Sequence, residues 1–176
     1  MRPAWILETP RLCLREMTRE DLPALRAMLQ DSEVMYAYNG AFTEEETLAW
    51  LERQLARYEQ YGFGLWAVIL RETGEMVGQC GLTMQPWKER ELLEVGYHFR
   101  KEYWHRGYAA EAARACVRYA FDVLGAEEVC AIIRDTNLPS QGVALRCGMT
   151  RMDSWVKHYR GVDMPHWRYL RRRESP

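Results

Sequence analysis

The residue types best suited to chemistry are concentrated between Glu91 and Leu124, where ELLEVGYHF, RKEYWHRGYA and AEAARACVRYAFDVL follow one another. Glu94 sits in the first run, and a carboxylate at the open edge of a sheet accepts a proton directly or through one water. Residues 98–106 (HFRKEYWHR) carry two arginines, one lysine and two histidines against a single glutamate. That charge leads into Gly107, Ala109 and Ala110, small residues that leave the first N–H groups of a helix uncovered. Free N–H groups and the positive end of a helix dipole suit a phosphate, and a pyrophosphate is the natural guest. A capped helix lying on a sheet with a solvated basic rim fits the helix pattern equally well.

The surrounding elements follow from hydrophobic spacing. Ala109, Ala112, Ala113, Cys116, Val117, Ala120, Phe121 and Leu124 recur at helical intervals, with Glu111, Arg114, Arg118 and Asp122 opposite, so a helix begins at or near Gly107. In the strand before it, alternation puts Leu93, Val95, Tyr97 and Phe99 on one face and Leu92, Glu94, Gly96 and His98 on the other. Gly96 marks a bulge or a close approach by backbone or ligand.

Strands are also expected at Arg11–Glu16, Phe63–Leu70, in MVGQCGLTM after the RETGE turn, and at Glu128–Arg134. A terminal hairpin spans 149–157 and 162–170 around HYRG. Thr18 opens a helix whose start Pro23 pushes later, and Thr43-Glu44-Glu45-Glu46 is a capping box for a second helix. Between them DSEVMYAYNGAF reads as a flexible lid. Asn137 is an N-cap with Pro139 in the first turn, and Gly142 inside that helix implies close packing or a ligand. Arg171–Arg173 is read as a solvated, frayed tail.

The run Glu94-Val95-Gly96-Tyr97, then Glu102-Tyr103-Trp104, then Arg106-Gly107-Tyr108-Ala109-Ala110-Glu111-Ala112 resembles the acyl-CoA-binding motif of the GNAT N-acyltransferase superfamily, above all its ribosomal-protein N-acetyltransferase branch. The likeness extends from about Glu8 to Met149. Gly107 and Ala109 match the small positions of the family's pyrophosphate loop. Trp104 stands where Gln or Arg is usual, and His105 where the branch has Gly.

The resemblance implies an α/β (α+β) fold: a mixed, mostly antiparallel sheet of about seven strands with four helices, strands 4 and 5 splayed to admit the thioester. It implies acetyl-CoA as cofactor. Tyr97, His98 and Phe99 flank its pantetheine, an N–H of the Gly96–Phe99 segment serves as oxyanion donor, and the backbone of Trp104, His105, Arg106, Gly107, Tyr108, Ala109 and Ala110 wraps its phosphates. Arg100, Lys101 and Arg106 screen the charge. Glu94 is the expected general base. Asn137-x-x-Ser140 matches the branch's NxxS signature, in which Asn137 holds pantetheine or substrate and Ser140 protonates the departing thiolate. Other branches place a tyrosine seven residues after the Asn, where this chain has Ala144. Asn and Ser at a helix start also serve simply as caps.

Length and composition bound the rest. A chain of 176 residues and 20.8 kDa closes one core and is read as one domain, 1–176, with its core over 8–170. Net charge of -1 steers nothing toward nucleic acid. Five cysteines, at 13, 80, 116, 130 and 147, form no CxxC pair and read as reduced core thiols rather than nucleophiles. His98, His105, His158 and His166 lack metal-site spacing, so no metal is expected. With no apolar run long enough to span a bilayer, an intracellular, cytoplasmic protein is expected, as monomer or homodimer.

Aromatics on expected loops, Tyr36, Tyr38, Phe42, Trp87 and Tyr159, are the candidates to line an acceptor groove. Three readings follow: an N-acetyltransferase acting by direct attack on a protein N-terminus, one acting on a small amine, and a silent acyl-CoA-binding module. A dinucleotide fold is disfavoured because RGYAAEA lacks GxGxxG spacing.

Overall fold

The computed structural model describes residues 4–175. Strands β1 (Leu7–Glu8), β2 (Leu12–Arg15), β3 (Leu65–Leu70), β4 (Met76–Trp87) and β5 (Arg90–Phe99) lie side by side, each antiparallel to the last. β6 (Glu128–Arg134) runs parallel to β5, and β7 (Thr150–Tyr159) and β8 (Val162–Arg172) complete the order β1-β2-β3-β4-β5-β6-β8-β7. The expected seven strands are therefore eight. The addition is β1, whose two residues pair with Cys13 and Leu14 and are too short to show a period.

Four helices cover the sheet: α1 (Leu22–Leu29), α2 (Glu44–Tyr61), α3 (Tyr108–Asp122) and α4 (Leu138–Arg146). The capping box at Thr43 and Glu46 opens α2, and Gly62, at φ 78°, ends it. Pro23 falls in the first turn of α1, where no amide is needed, and a 3-10 turn over Arg19–Asp21 takes up the expected earlier start. Cross-strand register sorts the faces. Gln79 and His98 are partners, and Gln79 meets Trp50 of α2. Cys80 and Tyr97 are partners on the other face, where Cys80 lies 3.7 Å from Cys116 of α3.

Several expectations change. No register shift occurs at Gly96: β4 and β5 pair without a break, and the irregularity falls between Val68 and Ile69 in β3. The glycines that close approach demands are Gly81, where a Cβ would stand 2.0 Å from the carbonyl oxygen of Gly64, and Gly78, where it would stand 2.7 Å from that of His98. The 31–42 segment is packed rather than open. Met35 is fully buried and the Phe42 amide donates to the Leu29 carbonyl. Arg171 and Arg172 belong to β8, and Arg171 donates to the Cys147 carbonyl, so this stretch is sheet and not a frayed tail.

The feature that positions the site is a split. β5 keeps a full ladder with β4 but pairs with β6 only at Glu94↔Cys130. Beyond that point the two strands diverge.

Candidate active site

Glu94 stands at the mouth of the split. Its Oε2 accepts the Ile132 amide of β6 at 2.9 Å, occupying a donor that a continued ladder would have used. Its Oε1 faces the space over Gly96, where a Cβ would meet only Leu65 Cδ2 at 3.4 Å and that oxygen at 4.0 Å. Burial raises the Glu94 carboxyl to about 7, against the lowering pull of Lys157, the Ile132 amide and Arg57. The group keeps partial solvent access. A carboxylate with that pKa and one free oxygen is suited to accept a proton near neutral pH.

Around it on the α2 face the structure gathers His98, Tyr38, Phe42 and Tyr159 with Trp50. Tyr38 lies 5.5–5.7 Å, centroid to centroid, from each of the other four. The hydrogen bonds here fix the His98 tautomer. The Trp50 indole only donates, so the Gln79 oxygen faces it at 3.0 Å and the Gln79 amide nitrogen must donate to His98 Nδ1 at 3.2 Å. The proton of neutral His98 is therefore on Nε2, and burial lowers the ring's pKa to about 4, keeping it neutral. His98, expected beside pantetheine, directs its side chain into this aromatic cluster. Trp50 and Gln79 were missed. Trp50 reads as core at its helical spacing, whereas an amide inside the apolar run MVGQCGLTM was a visible signal.

Tyr36 lies apart from the ring cluster. Its hydroxyl bonds Thr136 Oγ1 at 2.6 Å and its carbonyl accepts from Arg134, so it borders the loop before α4. Trp87 corrects an expectation. It is the last residue of β4, not a loop residue, is fully buried, and packs with Leu92, Cys130 and Leu170 while its indole donates to Asp153.

On the opposite face Tyr97 meets α4. Its hydroxyl donates to the Ser140 carbonyl at 2.9 Å, which turns the Ser140 Oγ–H toward Tyr97 Oη at 3.0 Å. Asn137 caps α4 by accepting the Ser140 amide at 3.4 Å, so Asn137 performs the capping role while the Ser140 hydroxyl is left to Tyr97. The strand pattern also identifies free backbone donors. Arg100 donates to Val77 of β4, so by antiparallel alternation His98, Gly96 and Glu94 also face β4, while Phe99, Tyr97 and Val95 point toward β6. Past the Glu94↔Cys130 pair, Tyr97 N–H is the first that faces the split.

At the far end lies the 104–110 loop. His105 and Gly107 take left-handed φ angles of 62° and 81°, a curl that turns successive amides inward, and no side chain caps α3. Among the hydrogen bonds of the described residues, none uses an amide of His105, Arg106, Gly107, Tyr108, Ala109 or Ala110. Trp104 is the exception: its amide donates to Lys101 O and its indole to Phe99 O, so it braces the loop. The expected charge screen also thins, because Arg100 pairs with Glu102 and Lys101 with Glu33. Arg11, which had no assigned role, clamps the loop from outside. Its Nη1 donates to Arg106 O at 2.9 Å while Glu111 holds its Nε at 2.7 Å.

A shallow depression of about 480 Å³ beside Met17, Thr18, Arg19, Glu20 and Leu55 includes none of these groups. Among the described residues, no helix is long and apolar enough to cross a membrane.

Comparison with known proteins matches residues 11–150 to the acetyltransferase (GNAT) domain family. The YkkB protein of Bacillus subtilis is 36% identical over 144 residues, 81% of this chain and 84% of that protein. The FsC-acetyl coenzyme A-N(2)-transacetylase of Aspergillus fumigatus is 32% identical over 184 residues, 96% of this chain and 77% of that protein. Among solved structures, an acetyltransferase from Agrobacterium tumefaciens matches with a TM-score of 0.79 and 29% identity, over 95% of this chain and 94% of that one. A putative ribosomal-protein-serine acetyltransferase from Vibrio cholerae shares the fold at a TM-score of 0.79 and 22% identity, over 98% of this chain and 100% of that one.

Proposed function

The chain belongs to the GNAT acetyltransferase family and is an N-acetyltransferase, and from that premise we propose that it uses acetyl-CoA and acts on a primary amine by direct attack in a ternary complex. It acts as one domain. The relative whose name specifies an acetyl coenzyme A donor and an N(2) acceptor supports this donor and an amine nitrogen as acceptor. So does the structural fit. Unpaired amides at 105–110 suit a pyrophosphate, backbone donors of Tyr97 and Phe99 face the split, and a Cβ at Gly142 would meet nothing within 4 Å. The cofactor supplies an activated acyl thioester.

The protein's part is positioning and proton movement. Glu94 Oε1 takes the proton of the acceptor ammonium while Ile132 N–H holds Oε2 and keeps the carboxylate aimed across the split. Tyr97 N–H stabilises negative charge developing at the reacting carbonyl. Ser140 Oγ holds a proton on the departure side, and Tyr97 Oη, 3.0 Å away, accepts from that hydroxyl and keeps it in place until the thiolate forms. Buried thiols do not compete: burial raises the Cys80 thiol well above its ordinary range and Cys147 to about 11.

The observation that carries this reading is the placement of a free Glu94 oxygen where the single β5–β6 pair ends and the two strands diverge. It is tested by thiol release from acetyl-CoA against a panel of amines and N-terminal peptides. Wild-type turnover with at least one acceptor, lost in Glu94→Gln, supports the reading. Tight coenzyme binding without turnover on any acceptor supports the silent module instead.

A further inference from the structure

Trp50, Arg53 and Arg57 lie at positions i, i+3 and i+7 of α2 and so form one stripe of that helix. Trp50 packs on Tyr38, Phe42 and His98, which puts the stripe along the wall of the acceptor side. Lys157 approaches from β7, two residues before Tyr159 and therefore on the same strand face, and Tyr159 meets Tyr38 at 5.6 Å. Arg57 and Lys157 thus border the space in front of Glu94, and Arg53, exposed on the same stripe, stands beside Arg57.

None of the three forms an ion pair among the described residues. Neighbouring arginines contrast with them: Arg19 pairs with Glu52, Arg26 with Glu44 and Arg160 with Glu46. Arg57 is half-buried, and its one hydrogen bond runs to the neutral Gln54 Oε1 at 3.2 Å. A guanidinium has five N–H donors in a planar fork that matches a carboxylate, so most of this one is unspent. Burial first, and Arg53 second, push Arg57 below its ordinary range. The acid whose field reaches it is Glu94, already bound to Ile132. An acceptor with a second positive charge would meet repulsion here, while one with a negative charge would complete the fork.

We propose that the acceptor is a small amine bearing a carboxylate or similar acidic group a few bonds from its nitrogen, held by Arg57 with Arg53 and Lys157 beside it. The inference rests on the acetyl-transfer reading above, with Glu94 as base. Small size follows from the contacts that link the two groups: a Cβ on Gly64 would stand 3.4 Å from Arg57 Cβ, Gly64 packs against Gly81, and Gly81 is the cross-strand partner of Gly96, over which Glu94 Oε1 faces, so one molecule of a few bonds reaches both.

The test compares kcat/KM for a graded series of ω-amino carboxylates, their amides, diamines of equal length and N-terminal peptides. The carboxylates should lead by tenfold or more, the ratio that about 1.4 kcal/mol of ionic hydrogen bonding provides. Arg57→Gln should drop the carboxylates toward the amides by raising KM, and Arg57→Lys should recover part of the loss. Amides, diamines or peptides used as well as the carboxylates, or a preference untouched in Arg57→Gln, overturns the proposal. Should Arg57→Gln fail to fold, Arg53→Gln and Lys157→Gln make the same comparison. Absence of thiol release with every amine tried would sink the transferase reading instead. Calorimetric binding of the carboxylates to wild type and Arg57→Gln then decides the anion site by itself.

Discussion

At the scale of single residues, Glu94 works against the fold it serves. Its carboxyl is raised from 4.5 to about 7 by burial, so the folded chain holds a proton that the unfolded chain releases between those values. Stability associated with that proton is complete below pH 4.5 and is lost as pH rises to 7, by an amount on the order of 3 kcal/mol. Glu94→Gln keeps the acceptor for Ile132 N–H and has no charge to bury. Thermal melts should therefore show the variant matching wild type at pH 4 and exceeding it at pH 8, while acetyl transfer falls roughly 100-fold or more. Equal melts at pH 8 would contradict the buried-carboxylate account. In wild type the same titration makes kcat/KM climb through pH 7. For Ser140 the expected result is kinetic: Ser140→Ala should lower kcat roughly 100-fold while leaving the Asn137 cap and the melting temperature near wild type. Wild-type turnover would remove Ser140 from proton transfer. Glu94 was legible as a candidate base because a carboxylate in an apolar strand is conspicuous. The placements of Gln79 and Arg57 were not, because the first depends on cross-strand register and the second on which helix stripe faces the sheet.

At the scale of elements, the α3 start and the α4 start make different demands on glycine. Gly107 occupies φ 81°, and a Cβ there would stand 3.3 Å from Arg11 Nη2, the side chain that clamps the loop. Gly107→Ala should cost about 1 kcal/mol in backbone strain and disturb the inward curl of the amides. The measurable result is weaker CoA binding by calorimetry with acceptor KM little changed. Gly142 is the converse, because its Cβ position is open. Gly142→Ala should gain about 1 kcal/mol of stability from helix propensity. If CoA fills that space, the same variant binds it more weakly, and unchanged affinity would locate the coenzyme elsewhere. Helix and strand positions were largely readable, since capping residues and apolar periods are local. The two-residue β1, the packing of 31–42 and the pairing of Arg171–Arg172 were not, since each depends on a partner distant in sequence. The Lys101 charge misled for the same reason, because Glu33, which neutralises it, lies on another segment, whereas the Arg100 partner, Glu102, was only two residues away.

At the scale of the whole molecule, the terminal hairpin closes the sheet and also supplies Lys157 and Tyr159 to the proposed acceptor side, so on that proposal its docking governs the site. A register shift between Arg151 and Ser154 in β7 re-aims Asp153 toward the β4–β5 turn. There its carboxylate receives Trp87 Nε1 at 3.1 Å, Lys88 Nζ at 2.7 Å and Arg168 Nε at 2.6 Å. Trp155 packs against Trp87 in the same corner, 5.6 Å between ring centroids. Burial opposes ionisation of Asp153, but the bonds from Lys88, Trp87 and Arg168 overcome it and hold the carboxyl well below the ordinary range. Its contribution is therefore full above the unfolded value of about 3.9 and is lost only as pH falls toward the lower folded value. Asp153→Ala leaves the buried Trp87 N–H and the Arg168 guanidinium without their acceptor, which should lower stability by about 1–3 kcal/mol at pH 7. The deficit should shrink in acid, where wild type loses the same carboxylate. Because the 104–110 loop hangs from α3 and from the Phe99 end of β5, whereas this clasp holds the Arg90 end, CoA affinity should hold while acceptor KM rises as Lys157 and Tyr159 lose their footing. Parallel losses of coenzyme and acceptor binding in a folded Asp153→Ala protein would show that the hairpin is not a separate wall of the site.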